Sequence, residues 1–121
     1  MKKLLPMFVV AVSLWAGSAL AQGKGPHGGI LGGDRHHGVE LVLNGTSITF
    51  YLLDDGKVES AKGSSLRAVI QEGSKNVTIP LAVEGEKVVA KLEAPLPKGA
   101  RVVVTGKNGH GHTVQARFTV E

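Results

Sequence analysis

The sequence predicts an all-β protein, built as an antiparallel β-sandwich that follows a short leader. Apolar and polar residues alternate with a period of two along most of the chain, as in strands with one face in a core. Turn-forming residues, including many of the 17 glycines, interrupt this alternation at regular intervals. No segment keeps an apolar period of 3.6 residues over three turns, so no helix is expected in the mature domain.

The first 21 residues are expected to form a cleaved signal peptide. Two lysines precede a mostly apolar run over residues 4–20, and Ala-Leu-Ala at 19–21 provides the small residues of a signal-peptidase site. The alternative is an uncleaved membrane anchor, but a proline and a glycine interrupt the run, and a spanning helix needs about 20 apolar residues. We therefore expect a soluble periplasmic or secreted protein with no stable membrane insertion after cleavage.

The remaining residues predict one domain over 28–121, preceded by a flexible glycine-rich lead-in over 22–27. The chain has no cysteine, and both methionines lie in the leader, so the mature protein contains no sulfur. The leader carries two of the 14 basic residues and none of the 10 acidic ones, which leaves a mature net charge of +2. This small excess gives little support for a polyanionic partner.

The alternation predicts a first hairpin from strands over 39–43 and 48–52. Asn44-Gly45 joins them and predicts a type I′ turn, which requires positive φ at both central residues. A second turn at 54–57 and an irregular stretch to residue 65 precede a strand over 66–70. The next alternating run, 77–83, contains Pro80, which predicts an edge strand or a bulge because proline cannot donate to the ladder.

Three further strands are predicted over 88–92, 100–105 and 114–120. A Pro-Leu-Pro-Lys-Gly connection at 95–99 and a glycine-rich turn at 106–112 separate them. Seven to eight short strands in about a hundred residues are typical of an immunoglobulin-like β-sandwich.

All five histidines lie in two short clusters. His27, His36 and His37 belong to the first, and His110 and His112 lie in the turn before the last strand. Neutral imidazole is the commonest metal ligand in proteins, and a chain without thiols offers only nitrogen and oxygen donors. We therefore predict that the two clusters meet and bind a divalent borderline ion, Cu(II) or Zn(II). The lack of thiolate and thioether ligands argues against Cu(I).

The expected ligands are His27, His110 and His112, with His36 or His37 and Asp34 as additional candidates. His110 and His112 are two residues apart and would point the same way on an early strand, which suits chelation. The adjacent pair in the first cluster would point to opposite faces, so only one of them can face a given site. For the histidines of the second cluster and for His27, the alternative is a solvated loop or turn residue. For the adjacent pair it is one ring that covers the end of the sandwich and one in water, and for Asp34 it is a turn cap.

Glu40 lies out of phase with the apolar residues Val39 and Leu41. It therefore shares the other strand face with Val42. A carboxylate there either lies in water at a strand end or pairs with a cation, and the sequence leaves both possibilities open.

Other function classes lack support. There is no Gly-x-Ser-x-Gly turn, no cysteine nucleophile and no glycine loop opening a helix, and the adjacent Asp54 and Asp55 are typical of a solvated turn. The lysines are scattered among glutamates, and the mature chain has only three aromatic rings for base stacking. We expect neither an enzyme nor a nucleic-acid-binding protein.

Residues 26–54 resemble a known group of domains. Pro-His-Gly-Gly at 26–29, Asp34, the histidine pair at 36–37, Glu-Leu-Val at 40–42 and Phe-Tyr-Leu-Leu-Asp at 50–54 carry the resemblance. They are similar to small exported β-domains found alone or within periplasmic adaptor subunits of heavy-metal efflux systems. The resemblance covers about the first third of the mature chain. It implies an immunoglobulin-like sandwich near metal handling, with an envelope efflux or adaptor protein as partner.

The end of the chain is similar to the periplasmic copper-resistance sandwich proteins. Leu-Pro-Lys-Gly at 96–99, the strand over 101–105, Gly-His at 109–110 and Phe-Thr-Val at 118–120 carry this second resemblance. In that family a histidine before the last strand joins an N-terminal histidine at a Cu(II) site, which here implies His110 or His112 with His27. This chain departs from the pattern because His27 is not the expected mature N-terminus and Asn108 replaces the acidic residue of the turn.

Together these features predict a carrier, buffer or delivery module for Cu(II) or Zn(II), linked to metal homeostasis or efflux. The alternative is a non-catalytic protein-interaction module of an envelope complex in which the histidines are incidental. A pH-sensing role for the clustered histidines is a third, less supported reading.

Overall fold

The computed structural model describes residues 23–121, which form ten β-strands in two antiparallel sheets and contain no helix. The strands are β1 (Ile30–Gly33), β2 (His37–Asn44), β3 (Ser47–Asp54), β4 (Lys57–Glu59), β5 (Ser65–Glu72), β6 (Lys75–Ile79), β7 (Ala82–Glu84), β8 (Lys87–Lys91), β9 (Arg101–Lys107) and β10 (Thr113–Thr119). The all-β prediction is confirmed, although the strands number ten rather than seven to eight. The predicted signal peptide over 1–21 lies outside the described residues.

The two sheets pack face to face around one apolar core. Sheet A has the order β1-β2-β3-β8-β7, and β4 pairs with the end of β3 beyond β8, whereas sheet B has the order β10-β9-β5-β6. Sheet A contributes core residues such as Val39, Leu41 and Phe50, and sheet B contributes Val104 and Phe118. Because side chains alternate along a strand, these residues determine which face of each sheet is inner and which is outer.

Two strands escaped prediction because their sequences are short or rich in glycine. The strand β4 has only three residues, and half of β1 is glycine, so neither shows legible alternation. Gly32 of β1 packs beneath Phe118, and a Cβ atom there would lie 2.8 Å from Cε1 of the ring. The glycine that obscures the alternation of this strand is therefore required for its packing.

The predicted strand over 77–83 is in fact two strands in different sheets. The first, β6, forms the edge of sheet B, and β7 forms the edge of sheet A. The chain passes from one sheet to the other at Pro80 and Leu81. Since proline has no N–H to donate, its position is where the first ladder ends and the chain is free to cross.

The hairpin turns differ in detail from the prediction. Asn44 pairs with Ser47, so the two-residue loop is Gly45-Thr46, and only Gly45 has positive φ (61°). This is the pattern of a type II′ turn rather than the predicted type I′. The next loop, Asp55-Gly56, has positive φ at both residues (51° and 87°) and thus has the type I′ pattern instead.

Residues 23–29 fold back along β1. Leu31 N donates to Gly23 O at 3.0 Å, Gly25 N donates to Gly29 O at 2.9 Å, and Lys24 forms an isolated bridge with Ile30. The prediction of a flexible lead-in over 22–27 did not anticipate these hydrogen bonds. Among residues 23–121 there is no helix of the length and apolarity needed to cross a bilayer.

Candidate functional site

The two histidine clusters meet at one end of the sandwich through His37 and His112. His37 begins β2 and is in phase with the core residues Val39 and Leu41, so its ring lies on the inner side of sheet A. His112 lies in the turn between β9 and β10 of sheet B. His37 Nε2 and His112 Nδ1 are 3.0 Å apart, with the two rings inclined at 78°.

Asn108 holds the turn that presents His112. Its buried side-chain oxygen, Oδ1, accepts hydrogen bonds from the backbone N–H groups of His110 and His112, at 3.0 and 2.9 Å. Its own backbone N–H donates to His112 O at 2.9 Å. In the sequence, Asn108 was notable only because it replaces the acidic turn residue of the copper-resistance proteins that this part of the chain resembles. Its structural role is to accept hydrogen bonds from two part-buried backbone amides of a tight turn, which a neutral side-chain amide does well.

Asp34 fixes the start of β2. Its Oδ1 accepts hydrogen bonds from the backbone N–H groups of His37 (2.6 Å) and His36 (2.9 Å). The bond from His37, partly opposed by desolvation and reinforced by the bond from His36, holds the pKa of Asp34 below its ordinary value. The same carboxylate oxygen lies 3.9 Å from Nδ1 of the His37 ring. Asp34 is therefore a turn cap that also faces the imidazole of the cross-sheet pair.

His36 points away from this pair. Its Nδ1 lies 2.7 Å from Asp55 Oδ1, and 69% of its side chain is exposed, compared with 28% for His37. The strand alternation indicated that only one of the two adjacent histidines could face a shared site, and the geometry assigns that position to His37.

His110 lies beside the pair without contacting His37. Its ring centroid is 6.3 Å from that of His112, and its Nε2 is 3.9 Å from Glu59 Oε1. With 76% of its side chain exposed, the ring has room to adopt other rotamers.

His27 occupies a separate place on the outer face of sheet A. Its Nδ1 lies 2.8 Å from Glu40 Oε1, and its ring stacks on Tyr51 with centroids 3.8 Å apart. Val39 and Leu41 face the core, so Glu40 between them faces outward. His27 contacts Glu40 and therefore lies on the same outer face. The structure thus does not bring His27 together with His110 and His112.

Glu40 is fully buried beneath the N-terminal turn. Its Oε2 accepts hydrogen bonds from the backbone N–H groups of His27 and Gly29, both at 2.8 Å, while Oε1 faces the His27 ring. A Cβ atom at Gly25 would lie 2.6 Å from Oε2, so the turn closes over the carboxylate only because that residue is glycine. The possibility that this carboxylate lies in water is wrong, because it is buried and its partners are two amides and the His27 imidazole, with which it forms an ion pair whenever that ring is protonated.

The structure brings two potential metal-binding atoms together, the ring nitrogens His37 Nε2 and His112 Nδ1. Within residues 23–121, no group of three or more His, Cys, Asp or Glu side chains is arranged to hold a metal ion. The 3.0 Å separation of His37 Nε2 and His112 Nδ1 is nevertheless near the spacing of two ligands on one ion. Tetrahedral coordination at zinc–nitrogen distances of 2.0–2.1 Å places two nitrogens about 3.3 Å apart.

Comparison with known proteins gave no match: no protein-family model matched the sequence, and no curated protein or solved structure was found to be similar. Function therefore has to be inferred from the residues and their geometry.

Proposed function

We propose that this protein binds Cu(II) or Zn(II) between His37 Nε2 and His112 Nδ1. The observation that carries the proposal is the 3.0 Å approach of two ring nitrogens that are 75 residues apart in sequence and belong to different sheets. In the metal-free protein, one ring donates its N–H to the other. Two unprotonated nitrogens at this spacing would both direct lone pairs at a shared ion.

His110 is the proposed third ligand. It lies between two glycines beside His112, and a rotation of its exposed side chain brings it toward the pair. Three imidazoles with a water in the fourth position form a common zinc coordination. Asp34 is proposed as an outer carboxylate near the metal, because its Oδ1 lies 3.9 Å from His37 Nδ1, too far for a hydrogen bond but close enough for its charge to favour metal binding. His27 and His36 are omitted because each lies elsewhere with its Nδ1 against a carboxylate.

The wider proposal is an exported, non-catalytic carrier, buffer or delivery module with an immunoglobulin-like sandwich fold. It rests on the leader-like residues 1–21 and on the resemblance of residues 26–54 to domains of heavy-metal efflux systems. An open site at the end of a sandwich suits transfer of an ion, because ligands of an envelope efflux or adaptor protein have access to it.

The proposal is tested by titrating the protein with Cu(II) and with Zn(II) in a calorimeter. We expect one ion per chain. The double variant His37→Ala/His112→Ala should bind more than roughly 100-fold more weakly, since even removal of an outer-shell partner costs 10–100-fold. His36→Ala is the matched control, because it removes one neighbouring imidazole that faces away, and its affinity should be unchanged.

Two results would contradict the proposal in different ways. Tight binding that survives in the double variant would place the ion at another site. No binding by the wild-type protein would remove the metal function and favour the protein-interaction module.

A further inference from the structure

Asp54 is the neighbour of His37 in sheet A. It ends β3 and is the cross-strand partner of His37, which begins β2. Directly opposed residues of an antiparallel pair have their side chains on the same face of the sheet. Because the His37 ring lies on the inner side and meets His112 there, the Asp54 side chain belongs to that side as well.

The hydrogen bonds of the ladder indicate that these two side chains are close. Asp55 N donates to His36 O at 3.3 Å, which extends the ladder by one hydrogen-bonded pair. Hydrogen-bonded and non-hydrogen-bonded pairs alternate in an antiparallel ladder, so the next pair, His37 and Asp54, is of the second kind. In such pairs the Cα atoms are about 4.5 Å apart and the side chains are at their closest. A carboxylate thus lies next to one of the two imidazoles proposed to bind the ion.

The two neighbouring aspartates are engaged elsewhere. Asp55 Oδ1 lies 2.7 Å from His36 Nδ1, away from the pair. Asp34 Oδ1 accepts two backbone N–H groups and lies on the Nδ1 side of the His37 ring, whereas the proposed ligand atom of that ring is Nε2. Within residues 23–121, the side chain of Asp54 forms no hydrogen bond or ion pair. It is exposed and therefore has room to rotate toward an ion.

Pairing with a lysine does not account for this carboxylate. Lys57 is the other cross-strand neighbour of Asp54, across the turn between β3 and β4. Opposite charges at such positions stabilise a sheet when they pair. In the described part of the chain the two side chains form no ion pair, so the carboxylate is available to a ligand.

We propose that Asp54 is a direct ligand of the ion held by His37 and His112, in the fourth position that a water would otherwise take. This inference rests on the proposed metal function. Zinc sites combine imidazole nitrogens with carboxylate oxygens at metal–ligand distances of about 2.0–2.2 Å. With His110 as the third imidazole, four protein ligands surround the ion and leave no bound water to activate, which fits a carrier better than a hydrolytic centre. Since Asp54 is exposed, the ion stays accessible to the ligands of a partner protein.

The test compares the Zn(II) affinity of the wild-type protein with that of two single variants by calorimetry. Asp54→Asn should bind Zn(II) more than roughly 10-fold more weakly, since loss of even an outer-shell partner costs 10–100-fold. Asp55→Asn is the matched control, because it removes the same charge from the adjacent residue, whose carboxylate contacts His36. The affinity of this control should be unchanged.

Salt concentration separates a direct ligand from a nearby charge. Attraction between separated exposed charges is screened over about 10 Å at 0.1 M salt and about 3 Å at 1 M salt, whereas a metal–ligand bond is not screened in this way. The difference between the wild type and Asp54→Asn should therefore persist at the higher salt concentration.

Two results would overturn the assignment of Asp54 while the metal site itself remained. One is an Asp54→Asn affinity equal to that of the Asp55→Asn control. The other is a loss of affinity that disappears at the higher salt concentration, which would show that Asp54 acts through its charge alone. Absence of Zn(II) binding by the wild type is a different failure, since it would remove the proposed metal function and this inference with it.

Discussion

At the scale of single residues, the role of each histidine depends on what its ring nitrogens contact. His27 and His36 face carboxylates at 2.8 and 2.7 Å, whereas His112 faces a second imidazole. These environments differ although the side chains are identical, so the sequence could identify five histidines as candidate ligands but not which of them lie together. The sequence made His27 a first-choice ligand, and it left Glu40 open between a carboxylate in water and one paired with a cation.

Replacement of Glu40 should release the N-terminal turn. Glu40→Ala leaves the amides of His27 and Gly29 without their acceptor, so we expect a loss of roughly 1.5–3 kcal/mol in the free energy of unfolding. Denaturant unfolding measures this loss, and hydrogen exchange should show faster exchange of the Gly29 amide. Glu86→Ala, in an exposed turn, should change stability by less than about 0.5 kcal/mol. Equal effects of the two variants would contradict the assignment.

Asp34 should make acid stability depend on its carboxylate. Its pKa is lowered by the amides of His37 and His36, so its contribution is present above the unfolded-state pKa and lost as pH falls through the folded-state pKa. Asp34→Asn should therefore be less stable than the wild type at neutral pH, since an amide oxygen is a weaker acceptor than a carboxylate. Urea unfolding midpoints of the metal-free proteins should converge in acid, and a difference that grows with acidification would contradict this account.

At the scale of elements, the alternation predicted seven strands, which correspond to eight of the ten observed, and packing decided the rest. The two glycines of β1 obscure its alternation, yet Gly32 has to be glycine because Phe118 lies against it. Pro80 predicts an interruption of the hydrogen-bond ladder. The sequence around it does not show that the chain then crosses to the other sheet. For Gly32 the deciding neighbour, Phe118, is distant in sequence, and β7 joins sheet A because its hairpin partner β8 pairs with the distant strand β3.

Gly32→Ala should destabilise the protein by about 1–3 kcal/mol, because the new methyl group would be too close to Phe118. Thermal or denaturant unfolding gives the cost. In the background Phe118→Leu, which removes the ring, the same substitution should cost less, so the two changes should not be additive. Strict additivity would show that the strain comes from elsewhere.

At the scale of the whole molecule, closure of the two sheets brings the end of β1 and the start of β2 against the turn between β9 and β10. This closure creates the His37–His112 contact on which the proposed metal site depends.

Metal binding should stabilise the whole fold. An ion that binds only the folded protein adds about 2.7 kcal/mol at a free concentration 100 times its Kd. Zn(II) should therefore raise the Tm in calorimetry, and a chelator should reverse the increase. The variant His37→Ala/His112→Ala should show no such shift, whereas His36→Ala should behave as the wild type. A shift retained in the double variant would exclude the proposed ligands.

The sequence by itself determined the all-β character, the positions of most strands and the two histidine clusters. These features depend on the alternation of apolar and polar residues and on turn-forming residues. Both act over a few residues and can be recognised in a short stretch of sequence. Only the tertiary structure decided that His37 rather than His27 meets His112 and that Glu40 is buried beneath a turn. Each of these depends on strand register and sheet packing, through which residues far apart in the chain become neighbours.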